Sequence, residues 1–114
     1  MFKIRNYLGT AVENEELFRN ILRDLKEHRE QRPMGCFIPK DLETESSLDE
    51  IFKKYSYGRR HGVFSILNFD LTEDTASFSF QDVAIMSGGG AILLYKIKTD
   101  NTVEFEKELM SWRS

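Results

Sequence analysis

The chain has one cysteine and two prolines among its 114 residues, and it contains no long apolar run. Because Cys36 has no second cysteine to pair with, an internal disulfide is excluded, which is typical of a reducing compartment. No apolar stretch approaches the roughly 18 residues that a membrane-spanning helix needs. The N-terminal sequence MFKIRNYLGT lacks the apolar core of a secretory signal. We therefore expect a soluble cytoplasmic protein with no membrane partner.

An excess of positive charge is also absent. The chain has 16 Lys and Arg against 19 Asp and Glu, which gives a net charge of −3. Nucleic-acid-binding domains usually carry a basic surface, so this balance disfavours nucleic acid as a partner. The hydrophobic share of 40% is ordinary for a globular protein. The length suits a single domain that covers residues 1–114.

Two amphipathic helices are predicted in the N-terminal half. Thr10 and Glu13 fit a capping box, and a helix is expected from about Ala11 to Arg29. Its apolar stripe consists of Leu17, Phe18, Ile21, Leu22 and Leu25. Ser47 and Glu50 match the same box and begin a shorter helix. The stripe of this second helix consists of Leu48, Ile51, Phe52 and Tyr55.

The segment between the helices is apolar and lies between two prolines. Residues 34–39 therefore predict an extended loop or an edge strand. Apolar neighbours surround Cys36, which favours a buried thiol over a reactive one. An exposed contact patch formed by Met34, Phe37 and Ile38 is the alternative.

From Val63 onward the apolar period changes from helical to two, as in half-buried strands. Four strands are expected, joined by turns at residues 72–75, 88–90 and 100–101. Glycines 88–90 precede a strand and not a helix, which favours a turn over a phosphate-binding loop. The alternation changes phase after Phe80, which predicts a β-bulge at residues 81–82. The chain is thus predicted to be α+β, with two N-terminal amphipathic helices packed on a curved four-stranded antiparallel meander.

Acidic residues cluster where the chain leads into the second helix. The segment from 41 to 50 contains no Lys or Arg, and its acidic members are Asp41, Glu43, Glu45, Asp49 and Glu50. Helix capping explains part of this cluster. A solvated loop and a surface that attracts a basic protein both stay open. On the last strand, Glu104, Glu106 and Glu108 share one predicted face, which discourages edge-to-edge pairing.

Few residues suggest catalysis. The two histidines lack metal-ligand spacing, so we expect neither a metal nor another cofactor. His61 follows two arginines and lies close to Tyr57 in sequence. With Asp82 as a partner, it is a candidate general base in a pocket. A histidine in a solvated basic loop is the plainer interpretation.

The C-terminal half resembles the cystatin-like and nuclear transport factor two-like α+β cones. The resemblance covers residues 48–114. It rests on the strand ending Asn68-Phe-Asp70, the run at 75–80, the strand at 91–96 and the closing Ser111-Trp-Arg-Ser114. The final hairpin departs from the family, with Asn101-Thr-Val103 where Gly-x-Trp is often found. The resemblance implies helices packed in the hollow of a curved sheet, and many small bacterial members are immunity proteins that neutralise toxins.

The leading hypothesis is a non-enzymatic immunity protein that occludes a basic toxin domain, such as a nuclease. The residues expected to bind the partner are Phe37, Asp41, Glu43, Glu45, Asp49 and Glu50. Two alternatives stay open. One is a small-ligand binder or enzyme that uses a pocket with Tyr57, His61 and Asp82. The other is a structural homodimer.

Overall fold

A computed structural model of the chain describes residues 12–55, 63–83 and 88–113. These residues form an α+β fold with an antiparallel sheet in the order β1-β2-β3-β4, as expected for a meander. The elements are α1 (Val12–Glu27), α2 (Leu48–Tyr55), β1 (Val63–Leu71), β2 (Thr75–Val83), β3 (Gly88–Ile97) and β4 (Val103–Arg113). Of the two α-helices described, only α1 is N-terminal, because α2 begins in mid-chain. No helix in the described ranges is long and apolar enough to cross a membrane.

Helix α1 buries the predicted stripe. Leu17, Phe18, Ile21, Leu22 and Leu25 are all in the core. The ring of Phe18 lies edge-on to Phe69 of β1, with centroids 5.3 Å apart, and also contacts Phe78 of β2. Burying one such ring stabilises the fold by about 1.5–3 kcal/mol. The helix ends at Glu27, two residues before the predicted end. The cap predicted at Thr10 lies outside the described residues.

Helix α2 begins at the predicted capping box. The Ser47 hydroxyl accepts a hydrogen bond from the Glu50 N–H, and the Glu50 carboxylate accepts one from the Ser47 N–H, both at 3.3 Å. Two donors at the helix start are thereby satisfied. Leu48, Ile51 and Tyr55 are buried, which confirms that part of the second stripe.

Residues 34–39 do not form the predicted extended segment. Met34 has a left-handed backbone with φ 58°, and a 3₁₀ turn follows at Gly35–Phe37. A Cβ on Gly35 would lie 1.6 Å from the Arg29 carbonyl oxygen, so only glycine fits there. This close approach folds the chain back and leaves the Cys36 thiol exposed, contrary to the predicted burial.

The bulge lies on a different strand from the one predicted. Residues 75–83 of β2 pair with β3 without interruption, so residues 81–82 are regular. The register shifts instead in β1, between Ile66 and Asn68. The extra residue turns Phe69 to the same buried face as Phe64 and Ile66, whereas strict alternation along β1 would place it on the other face.

The three glycines begin β3 and do not form the predicted turn. Gly88, Gly89 and Gly90 pair with Val83, Asp82 and Gln81. A Cβ on Gly90 would meet the Trp112 ring at 2.5 Å and the Phe80 carbonyl oxygen at 2.3 Å. The sheet therefore needs glycine there because neighbouring strands approach closely.

Strand β4 has two register shifts against β3, which leave Glu106 and Leu109 without a partner residue. Glu104 is opposite exposed Lys96, whereas Glu108 is opposite buried Leu93. The predicted single face of glutamates is therefore wrong, because each bulge changes the alternation. The hairpin before β4 is confirmed. Asn101 has φ 65°, and the Lys98 N–H donates to the Thr102 carbonyl at 2.9 Å.

Candidate functional site

We define the acidic segment as residues 41–50. It runs from the short turns after α1 into the first turn of α2. Leu42 and Thr44 are buried, while Asp41 and Glu45 are exposed. This alternation anchors one side of the segment in the core and leaves acidic side chains on the other side.

Arg19 of α1 holds the backbone of the acidic segment. Its Nη1 donates to the Ser46 carbonyl at 2.5 Å and to the Thr44 carbonyl at 3.3 Å. Its Nη2 pairs with Glu15 one helical turn earlier, at 2.9 Å. Bonds from a charged donor are stronger than neutral ones. One side chain therefore fixes two carbonyls of a segment that has no helix or strand of its own there.

Arg23, one turn along α1, holds the side chain of Glu45. The pair is bidentate, with Nε to Oε2 at 2.9 Å and Nη2 to Oε1 at 3.0 Å. The hydrogen bond from Arg23, followed by one from the Thr44 hydroxyl, lowers the pKa of Glu45 to about 2. Because the Glu45 side chain is 66% exposed, water screens the pair. Arg23 nevertheless neutralises one charge of the acidic segment.

Glu43 is engaged within the segment. The Ser46 hydroxyl and the Thr44 N–H both donate to its carboxylate. The Ser46 bond is the main cause that lowers the pKa of Glu43. The Glu43 N–H donates to the Tyr55 hydroxyl at 2.9 Å, which ties the segment to the end of α2. Glu43 therefore shapes the segment more than it presents a charge.

The remaining acidic residues face solvent. Asp41, Asp49 and Glu50 are exposed. Glu50 caps α2 through Ser47. Within the described ranges, the carboxylates of Asp41 and Asp49 make no hydrogen bond or ion pair. The five predicted acidic residues thus divide into Glu43 and Glu45, held internally, and three that a partner can approach.

Phe37 is half-buried at the end of the sheet. The Arg113 guanidinium lies over its ring, 5.3 Å from the centroid. Its ring also closes over Gly89 of β3. The Arg113 Nη2 is 3.3 Å from the Cys36 sulfur. These contacts join Phe37 to β3 and β4, whereas the acidic segment is joined to α1 and α2.

The alternative pocket is only partly described. Tyr57 and His61 lie outside the described residues. Asp82 is half-buried near the end of β2, opposite Phe64 on one side and Gly89 on the other. Burial raises the pKa of Asp82. A pocket formed by these three residues stays a prediction.

A groove of about 390 Å³ opens at the C-terminal end of α1. Charges of both signs line it, and none of the predicted site residues does. Its lining consists of Lys26, Glu27, Arg29, Glu30, Gln31 and Lys40. Among the residues that the structure describes, no group of three or more His, Cys, Asp or Glu is placed to hold a metal ion.

Sequence reasoning missed a half-buried charged network between α1 and the chain that follows it. Arg32 binds the Asp24 carboxylate through Nε at 2.9 Å and Nη2 at 2.8 Å. The Tyr95 hydroxyl of β3 donates to the same carboxylate at 2.5 Å. Burial works to raise the pKa of Asp24, but the bonds from Arg32 and Tyr95 outweigh it and hold that pKa below its usual value. Burial and the nearby Asp24 charge raise the pKa of Tyr95.

No protein-family model, curated protein or solved structure matches the chain. The resemblance to the cystatin-like and nuclear transport factor two-like cones, and the sheet curvature it implies, therefore stay predictions.

Proposed function

We propose that this chain is a non-enzymatic binding protein that captures a basic protein partner through the acidic segment. One observation carries the proposal. Arg19 and Tyr55 hold the backbone of residues 43–46 from two helices, while Asp41, Asp49 and Glu50 remain exposed beside it. The segment therefore presents these carboxylates from a fixed backbone.

A segment held in one conformation binds with a smaller loss of entropy. Ordering a flexible side chain at an interface costs about 0.5–1.5 kcal/mol, and ordering a loop adds to that cost. In this chain the bonds from Arg19, and the bonds among Glu43, Thr44 and Ser46, are already made in the free protein. A partner therefore meets a surface that needs little rearrangement.

The exposed carboxylates supply long-range attraction. Three like charges close together in sequence increase the association rate with a basic partner at low salt. Glu45 adds less to this attraction than the sequence suggests, because Arg23 pairs with it. We infer that Asp41, Asp49 and Glu50 steer the encounter and that Glu45 stabilises the segment.

The partner class that fits best is a toxin domain with a basic surface, such as a nuclease. Nucleases bind phosphate backbones through Lys and Arg, so an acidic surface competes for the same side chains. In this proposal the chain acts as an immunity protein and blocks the toxin by occlusion, without performing a reaction.

The experiment first asks whether a gene beside this chain's gene encodes a toxin domain, and it then co-produces that domain with this chain. Cells that make the toxin domain alone should die, and cells that also make this chain should survive. The purified pair should form a complex whose affinity falls as salt rises. A neighbouring gene product that is not basic, or a basic toxin domain that this chain neither binds nor neutralises, would overturn the proposal.

A further inference from the structure

One long edge of the sheet has no neighbour in the described part of the chain. β4 pairs with β3 along one side, and no described strand lies along its other side. An unpaired edge presents backbone N–H and C=O groups that another strand can pair with. With 11 residues, β4 is also about twice the mean strand length. Such an edge is a natural place to add a strand.

Two adjacent apolar side chains mark the middle of this edge. Leu109 is 49% exposed and Met110 is 57% exposed, and they are the only large hydrophobic side chains among the described residues that are classed as exposed. Met110 is opposite Ile92, and Leu109 is the bulged residue beside it. Exposed apolar groups that occur together indicate a surface that another protein covers.

We propose that a second copy of this chain covers them by pairing with β4 edge to edge. The two β4 strands run antiparallel about a two-fold axis that passes between Leu109 and Met110. Leu109 is then opposite Met110 of the partner subunit, and Met110 is opposite Leu109 of the partner subunit. The four-stranded sheet becomes an eight-stranded sheet. A two-fold interface of this kind uses the same surface on both copies.

The bulge at Leu109 makes this register consistent on both faces of the sheet. Residues opposite each other in an antiparallel pair must point to the same face. Glu108 and Ser111 lie opposite the buried residues Leu93 and Ala91, so both belong to the core face. They meet each other in the proposed register. On a regular strand, residues three apart would point to opposite faces.

The residues on the outer face of the sheet also pair consistently in this register. Lys107 and Trp112 lie opposite Leu94 and Gly90, which are on the other face of β3 from Ala91 and Leu93. In the dimer, Lys107 comes beside Trp112 of the partner subunit. An ammonium group next to an indole face is favourable. The face-matching and the side-chain chemistry therefore select the same pairing.

Charge favours this register over those centred on the charged residues at 106–108. It places Glu106 opposite Arg113, and the two-fold axis repeats this pair. Other antiparallel registers centred on Glu106, Lys107 or Glu108 would place that residue opposite its own copy. Like charges directly opposite each other are destabilising. The charges on β4 thus discourage unspecific pairing, as the sequence suggests, while they permit this one.

The first test measures the mass of the purified full chain by analytical ultracentrifugation, from micromolar to millimolar concentration, with a reductant that keeps Cys36 as a thiol. The mass should rise from 13.4 kDa to about twice that value. Met110→Lys should weaken dimerisation at least about tenfold, because it places a charge opposite Leu109. Its far-UV circular dichroism should be unchanged, since Met110 is exposed.

A charge swap tests the register. Glu106→Lys and Arg113→Glu should each weaken dimerisation about tenfold, because each places like charges opposite each other twice. The double variant should recover most of this loss. Glu104→Lys is the matched control, since it reverses a charge on the same strand outside the paired run, and it should leave the dimer intact.

A single 13.4 kDa species at every concentration would overturn the proposal. So would a dimer that Met110→Lys and Glu106→Lys leave unchanged, because that dimer would use another surface. The edge of β4 and the acidic segment share no residue. Failure of the dimer therefore leaves the proposed binding function in place, and loss of toxin binding leaves the dimer in place.

Discussion

The hydroxyl of Tyr95 donates to the Asp24 carboxylate across 2.5 Å and joins the C-terminal part of β3 to α1. Arg32 closes on the same carboxylate, and its guanidinium lies 4.5 Å from the centre of the Phe105 ring on β4. The side chains of Asp24 and Arg32 are each only 13% exposed. One carboxylate therefore connects α1, β3 and the chain that follows the helix.

The Tyr95 bond can be removed without changing the shape of the side chain. We expect Tyr95→Phe to lower the free energy of unfolding by about 1.5–3 kcal/mol, the usual contribution of a hydrogen bond to a charged group. Urea denaturation should show a lower midpoint at unchanged slope. Tyr55→Phe is a useful comparison, because its hydroxyl bonds a neutral N–H and should contribute only about 1 kcal/mol. Equal losses from both changes would contradict the charge-assisted role.

The Asp24 carboxylate should also make the free energy of unfolding depend on pH in acid. Because the pKa of Asp24 is below its usual 3.8 in the folded chain, the folded state favours the ionised form. That stabilisation is present above the unfolded pKa and is lost as the pH falls through the folded pKa. We expect Asp24→Asn to lower the free energy of unfolding by about 2–3 kcal/mol at pH 7. The difference in free energy of unfolding between the variant and the natural chain, measured by urea denaturation at several pH values, should disappear in strong acid. A difference that stays constant with pH would contradict an ionised Asp24 in the folded chain.

Arg19 should control the order of the acidic segment. Arg19→Met keeps the aliphatic stem but removes the bonds to the Thr44 and Ser46 carbonyls. We expect hydrogen exchange of amides 43–47 to accelerate at least about tenfold, which corresponds to about 1.4 kcal/mol. The control is Arg23→Met, which removes an exposed side-chain pair and no backbone bond. Arg23→Met should lower the free energy of unfolding by less than about 1 kcal/mol. It should leave hydrogen exchange of amides 43–47 nearly unchanged.

Gly35 should tolerate no side chain. A Cβ there would overlap the Arg29 carbonyl at 1.6 Å, and that atom is backbone and cannot move aside. We expect Gly35→Ala to destabilise the chain by more than about 2 kcal/mol, as overpacking at a fixed backbone does. Cys36→Ala changes the next residue, which is exposed, and should alter the free energy of unfolding by no more than about 0.5 kcal/mol. Thermal unfolding of both variants distinguishes the two cases.

The exposed carboxylates should govern the association rate. With the basic toxin domain as partner, Asp41→Lys together with Asp49→Lys should slow association about tenfold at low salt and flatten its salt dependence. Glu45→Gln should change the association rate less, because Arg23 already balances that charge. Surface plasmon resonance at several salt concentrations measures both effects. Unchanged association rates in the double variant would contradict steering by the acidic segment.

The sequence predicts the elements of this fold better than their details. Alternation identifies four strands, and the capping box at Ser47 places the start of α2. The bulge is misplaced because the apolar sequence around Leu67 also fits regular alternation. The glycine strand is missed because its cause is the close approach of Phe80 and Trp112, which belong to two other strands.

The candidate site shows the same limit. Composition alone identifies the acidic segment, because charge is visible without a fold. Which charges are available depends on Arg19 and Arg23, whose partners lie 22 to 27 residues further along the chain. No local pattern joins these residues, and only the packing of α1 beside the segment brings them together.

Gly89 and Gly90 have a consequence for how this chain can change over time. Phe37 would meet a side chain on Gly89, and Trp112 would meet one on Gly90, from the opposite face of the sheet. A mutation that enlarges either glycine is harmful even when the ring over it is lost, because a Cβ on Gly90 would also meet the Phe80 carbonyl oxygen at 2.3 Å and one on Gly89 the Trp112 carbonyl oxygen at 2.8 Å. Loss of a ring leaves bare backbone uncovered. We therefore expect descendants to keep glycine at positions 89 and 90, and to keep at positions 37 and 112 a ring that covers the bare backbone.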